Sequence, residues 1–163
     1  YPKTFIKYAL NNRRVLVTRT FSKLFSMAGC RLGYVCGHPE DIKYVQKYCT
    51  PHNTNAFAML IAEKIITTPG VLGNLIDKFN EGRSYLIDSL DKNGYRHKGE
   101  AGNFIFIESK SDASTIVHRM KEEKKILIKV YPNVGEFGDC LRVSIGEKEY
   151  MKLFMDALLE LDT

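Results

Sequence analysis

Short strand-like runs alternate with amphipathic helical stretches along most of the chain, and this alternation restricts the sequence to folds that mix helix and sheet. The most regular stretch covers residues 72–92, where apolar side chains recur at helical spacing. It ends at Asn93-Gly94, a typical signal for a left-handed helix stop. Such a helix needs a partner layer to bury its apolar stripe, so a layered domain is predicted here.

After residue 50 the predicted order is helix, helix, strand, helix, strand, strand, helix. The helices are expected at 55–67, 72–92, 112–123 and 147–161, and the strands at 104–107, 126–130 and 140–145. This order is typical of an α+β layer, a small sheet covered by helices.

Residues 1–50 have a different organisation. Two short strands, the first of them buried, are predicted at 15–17 and 33–37, with helices at 5–10 and 39–48. A pair of strands joined by an irregular loop indicates the edge of a larger α/β sheet. We therefore predict two parts, residues 1–50 and residues 51–163, and we expect the chain to be a portion of a longer protein.

Composition and charge argue against several classes of protein. Hydrophobic residues make up 44% of the chain and charged residues 26%, which is ordinary for a globular domain. No apolar run approaches the roughly 20 residues of a membrane-spanning helix, so no membrane partner is expected. The net charge of +5 is interleaved with acids, as in residues 121–125, and does not form a nucleic-acid footprint. The four cysteines lack metal-ligand spacing, which predicts no metal site and a reduced, cytoplasmic protein.

The chemically distinctive segment follows the first predicted strand. Thr20, Ser22 and Lys23 come directly after that strand, and Arg31 lies eight residues beyond the lysine. A neutral lysine amine forms a Schiff base with an aldehyde, hydroxyls donate to phosphate oxygens, and a guanidinium holds two such oxygens at once. The pattern suits a phosphorylated aldehyde. From the residues alone, a surface lysine and a structural arginine are the more common explanation.

Two glycines flank the arginine in the stretch Ala-Gly-Cys-Arg-Leu-Gly-Tyr, residues 28–34. We expect Gly29 and Gly33 to let the backbone turn tightly and approach a ligand closely.

Together, Thr-x-Ser-Lys at residues 20–23 and Ala-Gly-x-Arg-x-Gly-Tyr at residues 28–34 resemble the cofactor-lysine segment of fold-type-I aminotransferases. The likeness is greatest to the histidinol-phosphate aminotransferase branch, with Met27 in place of a leucine. Three later stretches resemble that family in the expected order: Pro-His-Asn-Thr-Asn at 51–55, Gly-Asn-Phe at 102–104, and Leu-Arg-Val-Ser-Ile-Gly at 141–146. The resemblance covers nearly the whole chain. It implies the edge of the large cofactor-binding domain in residues 1–50 and the small C-terminal domain in residues 51–163.

The resemblance also implies a role for each matching residue. Lys23 would hold pyridoxal 5'-phosphate covalently and, once displaced by substrate, would move a proton at the substrate's alpha carbon. The phosphate of the cofactor would be bound by Thr20, Ser22 and Arg31. Arg142 would bind the substrate's α-carboxylate, and Asn103 would lie near the active site.

One substrate position departs from the histidinol-phosphate branch. Lys129 occupies the place of an arginine that, in that branch, helps to bind the substrate's phosphate. Lysine keeps the charge but loses the planar fork, so a phosphorylated substrate stays compatible while histidinol phosphate itself is in question. The loop at residues 133–139 carries no signature of the family.

The function implied by the resemblance is transfer of an amino group between an amino acid and a 2-oxo acid by a homodimeric enzyme. Two alternatives stay open: a phospho-amino-acid decarboxylase of the same branch, and a non-catalytic domain that keeps the fold. The family's aspartate partner of the cofactor ring, its stacking aromatic residue and its glycine-rich turn belong to an earlier part of the family's sequence. The 163-residue chain alone is therefore expected to be inactive.

Overall fold

The computed structural model describes residues 4–50 and 54–163, which form a mixture of helices and sheets as predicted. The chain divides into two compact units, Tyr1–Leu72 and Gly73–Thr163. Within the described residues no single helix is long and apolar enough to cross a membrane, and only two successive helices, Ala56–Thr67 and Val71–Lys92, meet that criterion as a broken pair.

The first unit is built around a two-stranded antiparallel sheet in which Leu16 pairs with Gly37 and Thr20 with Gly33. Its elements are α1 (Ile6–Asn11), β1 (Leu16–Thr20), a 3₁₀ turn (Ala28–Cys30), β2 (Gly33–Gly37), α2 (Pro39–Gln46) and α3 (Ala56–Thr67). The predicted bounds of β2 are confirmed.

The prediction that the first strand is buried is wrong. Leu16 is 45% exposed, and along β1 only Val17 is partly buried. The described residues supply a single partner strand and a short helix, α1, whose buried residue is Ala9. Those elements are too small to cover both faces of the ribbon.

A small hydrophobic core holds the loop between β1 and β2. Phe21 and Met27 are 4% and 6% exposed, and they cluster with Ala58 and Ala62 of α3. The side chain of Asn55 begins α3 by accepting hydrogen bonds from the backbone N–H groups of Phe57 (2.9 Å) and Ala58 (3.2 Å). This packing places α3 in the first unit, ahead of the division at Leu72. Assignment of residues 1–50 and 51–163 to the family's large and small domains stays a prediction.

The second unit contains a four-stranded antiparallel sheet in the order β3-β4-β6-β5. Its elements are α4 (Val71–Lys92), β3 (His97–Lys98), β4 (Phe104–Ile107), α5 (Ala113–Lys124), β5 (Lys129–Tyr131), a 3₁₀ turn (Gly135–Phe137), β6 (Cys140–Ser144) and α6 (Lys148–Leu161).

One face of this sheet forms the core. The buried strand residues are Ile105, Ile107, Leu141 and Val143, and they pack with buried residues of three helices, including Leu86, Leu90, Ile116, Met120, Phe154 and Leu158. Each such side chain contributes about 1.5–3 kcal/mol through removal of apolar surface from water. Because side chains alternate along a strand, the residues between them lie on the opposite face of the sheet, away from these helices.

In the first unit, β1 covers Leu16–Thr20, whereas the strand was predicted at 15–17. Two strands of the second unit also differ from the sequence prediction. The strand expected at 126–130 begins only at Lys129, because the backbone N–H of Ile126 is bound to Met120 O at 3.0 Å. Lys125, at φ 58°, ends α5 in a left-handed cap. The hydrogen bond to Met120 O uses the backbone N–H of the next residue, Ile126. The short strand β3 was not predicted, since two residues carry no alternating pattern.

Candidate functional site

Three of the predicted cofactor residues lie at one end of the β1–β2 ribbon. Thr20 is the last residue of β1 and pairs with Gly33, the first residue of β2. One residue further on, the backbone N–H of Phe21 donates to Leu32 O at 3.1 Å. Ser22 and Arg31 are the next residues on the two sides of this bond. The antiparallel ladder therefore places Thr20 and Arg31, which are eleven positions apart in the sequence, at the same end of the ribbon.

The two hydroxyl groups form a local hydrogen-bonded pair. Thr20 Oγ1 donates to Ser22 Oγ at 2.9 Å, and it accepts a hydrogen bond from the backbone N–H of Ser22 at 3.1 Å. Because the Ser22 oxygen acts as acceptor in this pair, the hydrogen of its own hydroxyl is left to donate elsewhere. The arrangement presents a preoriented donor at the end of the ribbon.

Arg31 has a left-handed backbone conformation, with φ at 52°. Its N–H donates to Ala28 O at 3.4 Å, and its side-chain Nη1 donates to the same oxygen at 3.3 Å. Both bonds fold the residue back onto the 3₁₀ turn and leave the other guanidinium hydrogens available. A non-glycine residue in this region of backbone space is uncommon and concentrates at functional sites.

Gly29 lies within the 3₁₀ turn Ala28–Cys30, and the approach of the two glycines to a ligand stays a prediction. The left-handed positions in this loop are Ser26, at φ 54°, and Arg31, whereas neither Gly29 nor Gly33 has a positive φ. Gly33 is needed for a different reason, since a Cβ there would lie 2.7 Å from Arg19 O across the ribbon. The glycine therefore permits close strand pairing beside the site.

Lys23 is exposed on the loop and lies between two buried anchors, Phe21 and Met27. The anchors are joined by a hydrogen bond from Met27 N to Phe21 O at 3.0 Å, and Ser26 N donates to Lys23 O at 2.9 Å. The loop is therefore closed on itself, with the lysine at its surface.

The connection between β1 and β2 carries a hydroxyl, an amine and a guanidinium, on Ser22, Lys23 and Arg31. Within residues 4–50 and 54–163, no carboxylate lies within ion-pair distance of Lys23 or Arg31. Two cations without a carboxylate partner and a hydroxyl donor suit an anionic oxygen cluster such as a phosphate monoester. The donor set therefore fits the phosphorylated aldehyde predicted from the sequence.

The predicted substrate residues lie in the second unit. Arg142 is in the middle of β6, directly opposite Phe106 of β4 on one side and Lys129 of β5 on the other. Residues paired in this way project to the same side of a sheet, so the two cations share the face that is turned away from the core. Arg142 Cζ lies 4.0 Å from the centre of the Phe104 ring, a cation–π distance.

Asn103 lies just before β4, and its backbone O accepts a hydrogen bond from Ile145 N at 3.0 Å. The preceding residue, Gly102, accepts a hydrogen bond through its O from Arg83 Nη2 at 2.7 Å. Sequence reasoning missed Arg83, although a signal was present. The arginine interrupts the apolar stripe of α4 between Phe79 and Leu86, a position where an apolar side chain is expected.

A cleft of about 590 Å³ opens beside Phe106. Its lining residues are Lys98, Gly99, Phe106, Val134, Gly135 and Glu136. The loop without a family signature, at residues 133–139, thus forms one wall of a cleft. The predicted motif at 51–55 lies outside the described residues in its first three positions, and its last residue, Asn55, is the cap of α3.

Comparison with known proteins gives a consistent result. Residues 4–158 match the family described as aminotransferase class I and II. Histidinol-phosphate aminotransferase of Geobacter sp. (strain M21) is 32% identical over 147 residues, which cover 90% of this chain and 42% of that protein. The enzyme of the same name from Moorella thermoacetica is 29% identical over 161 residues, 99% of this chain and 41% of that protein. The chain thus spans about two fifths of the length of these relatives.

Solved structures agree with the sequence relatives. Histidinol-phosphate aminotransferase from Sinorhizobium meliloti, in complex with pyridoxal-5'-phosphate, superposes with a TM-score of 0.81 at 25% identity, over 96% of this chain and 43% of that chain. L-threonine-O-3-phosphate decarboxylase from Porphyromonas gingivalis has a TM-score of 0.72 at 19% identity, over 95% of this chain and 49% of that chain. The second likeness concerns the fold alone.

Proposed function

Since the chain belongs to the class I and II aminotransferase family, we propose that it is the lysine-bearing part of a pyridoxal-phosphate-dependent enzyme that moves an amino group between an amino acid and a 2-oxo acid. The chain spans about 41% of its first relative, so the activity is proposed for the whole protein. The observation that supports the proposal most directly is the position of Thr20, Ser22 and Arg31 at one end of the β1–β2 ribbon, on the connection that also carries Lys23.

In this proposal the first unit binds the cofactor. The guanidinium of Arg31 and the hydroxyls of Thr20 and Ser22 hold the phosphate, and the amine of Lys23 holds the aldehyde carbon. When bound, pyridoxal 5'-phosphate supplies an electron sink for charge that develops at the substrate's alpha carbon. The Lys23 amine would take up and return the proton at that carbon.

The second unit supplies groups for the substrate. Arg142 is proposed to bind the α-carboxylate through two parallel hydrogen bonds, with Asn103 near the reacting groups. Lys129, on the strand next to Arg142, is proposed to attract a second anionic group of the substrate. Histidinol-phosphate-like amines are candidate substrates on this basis. The whole enzyme is proposed to be cytoplasmic and to form a homodimer. Sedimentation of the purified protein would test the dimer.

The decisive experiment uses the whole protein and its Lys23→Ala variant. With pyridoxal 5'-phosphate added, we expect a stable visible absorbance band in the wild type and no such band in the variant. Lys47→Ala, which removes another exposed lysine of the first unit, is the matched control and should keep the band. A band that persists in Lys23→Ala contradicts the proposed role of the lysine. Failure of the wild type to bind cofactor favours the non-catalytic alternative.

The same experiment on the 163-residue chain alone tests a separate expectation. In the family, the aspartate partner of the cofactor ring and the aromatic residue that stacks on it lie outside this stretch. We therefore expect no stable band from the chain alone, and a band abolished by Lys23→Ala would contradict that expectation.

A decarboxylase is the second candidate function. Arg142 and Lys129 on one sheet face suit a substrate with both a carboxylate and a phosphate, as in a phospho-amino acid. Incubation of the whole protein with phosphothreonine separates the candidates. Release of carbon dioxide supports decarboxylation, and consumption of a 2-oxo acid supports amino transfer.

A further inference from the structure

The guanidinium of Arg83 is placed between a helix and the entrance of a strand. Its Nη2 donates to Gly102 O at 2.7 Å, and its Cζ lies 4.8 Å from the centre of the Phe79 ring. The Nε atom is buried and has no acceptor in the described part of the chain. Gly102 O and the Phe79 ring both contact the cation, and the bond to the carbonyl is a charge-assisted one.

Gly102 leads directly to the residues around Arg142. The next residue, Asn103, is tied to β6 by the hydrogen bond from Ile145 N, at 3.0 Å. Phe104 follows, opposite Ser144, and its ring lies 4.0 Å from Arg142 Cζ. A shift of the Gly102 carbonyl would therefore move the backbone of Asn103 and Phe104. The Phe104 ring, which contacts the Arg142 guanidinium, would move with it.

The preceding residue of α4 contacts the backbone at the same end of this strand pair, where the start of β4 lies beside the end of β6. A Cβ at Gly82 would overlap Gly146 O, so the helix touches the backbone just beyond β6 without a side chain between them. Adjacent helix residues therefore hold the beginning of β4 and the end of β6. Arg142 and Phe104 lie on those two strands.

From these contacts we infer that Arg83 is a positioning residue that sets the orientation of the Arg142 guanidinium through Gly102 and Phe104. The inference rests on the proposed function, in which Arg142 binds the carboxylate. Arg83 itself touches neither substrate nor cofactor in this scheme. Its loss should weaken carboxylate binding in the ground state and the transition state alike, which raises KM and leaves kcat nearly unchanged.

The test compares Arg83→Met with Arg119→Met in the whole holoenzyme. Arg119 is a matched control, because it also lies on a helix of the second unit and donates to a backbone carbonyl, Leu161 O, at 3.1 Å. The probe is 2-oxoglutarate, with its Kd measured by calorimetry and its KM and kcat measured in amino transfer. Thermal unfolding of each variant reports the purely structural effect.

For Arg83→Met we expect Kd and KM to rise about tenfold, with kcat changed less than about threefold. Arg119→Met should lose comparable thermal stability and leave both constants within about twofold of wild type. Arg83→Lys keeps a cationic donor and should recover most of the lost affinity. If Arg83→Met fails to fold, the Kd and KM of Arg83→Lys are compared with those of the wild type instead.

Equal Kd values for wild type and Arg83→Met, or equal losses in Arg83→Met and Arg119→Met, overturn the inference. So does an Arg83→Lys variant that folds and binds as weakly as Arg83→Met. If wild-type holoenzyme binds cofactor and shows amino transfer, those results concern Arg83 alone. A wild type that does neither refutes the proposed function, and the inference with it.

Discussion

Lys129 and Arg142 lie directly opposite each other on β5 and β6, so two cationic side chains share one face of the sheet. Like charges at opposed positions destabilise an antiparallel pair. The described residues place no carboxylate within ion-pair distance of either side chain. The sheet therefore keeps two like charges at opposed positions, in agreement with the anion-binding role proposed for them.

Replacement of Lys129 should stabilise the fold while it weakens anion binding. For Lys129→Met we expect the free energy of unfolding to rise by about 0.2–1 kcal/mol at low salt, because the repulsion with Arg142 is removed. The gain should shrink at high salt, which screens exposed charges. Urea unfolding at both salt concentrations measures it. Lys121→Met, on the exposed side of α5, is the control, and a salt-independent loss of stability in Lys129→Met would count against the prediction.

Two glycines of α4 should respond in opposite directions to the same substitution. Gly82→Ala forces a Cβ against Gly146 O, and we expect a loss of about 1–3 kcal/mol in the free energy of unfolding. Gly73→Ala meets no atom within 4 Å and should stabilise the helix by about 0.5–1 kcal/mol. Denaturant unfolding of the pair gives the comparison. Equal effects would show that backbone contact at Gly82 is unimportant.

Asp162 fastens the end of α6 to a turn of the second unit. Its side chain is 1% exposed and accepts hydrogen bonds from the backbone N–H groups of Lys110 (2.9 Å) and Ser111 (2.8 Å). Asp162→Asn turns an amide NH₂ toward one of these donors, and we expect a loss of about 1–3 kcal/mol in the free energy of unfolding. Asp156→Asn, at an exposed position of the same helix, should change it by less than about 0.5 kcal/mol. Thermal unfolding that ranks the two variants equally would refute the role of Asp162.

The N-terminus of α5 should make stability depend on acid. Asp112 accepts hydrogen bonds from Thr115 N at 2.7 Å and Thr115 Oγ1 at 2.9 Å, and these bonds lower the pKa of its carboxyl below the ordinary value of 3.8. A carboxyl with a lowered pKa in the folded state contributes stability above its unfolded pKa and loses it as pH falls through the folded value.

For the wild type we therefore expect the free energy of unfolding to decline as pH falls below about 4. Asp112→Asn keeps a capping oxygen without a titrating group and should show a shallower decline. Urea midpoints measured across that pH range test this. Identical slopes in the two proteins would mean that Asp112 does not contribute.

Much of the local structure was predictable because it depends on neighbouring residues. Gly33 and Gly37 delimited β2, and Asp112 marked the start of α5, since turn and cap residues act within a few positions. The start of β5 was not predictable, because the left-handed cap at Lys125 competes with the strand for the same backbone groups. The exposure of β1 also escaped prediction. An apolar run reports a tendency to be buried, whereas actual burial depends on which elements cover the strand.

The sequence by itself determined the order of helices and strands, the family, and the residue types proposed around Lys23, because each depends on short stretches with a characteristic spacing. Only the tertiary structure decided that Thr20 and Arg31 lie at the same end of one ribbon, that Lys129 opposes Arg142, and that Gly82 touches Gly146. These relationships join residues far apart in the chain. They follow from strand register and helix packing, which are set by the whole core and not by the residues on either side.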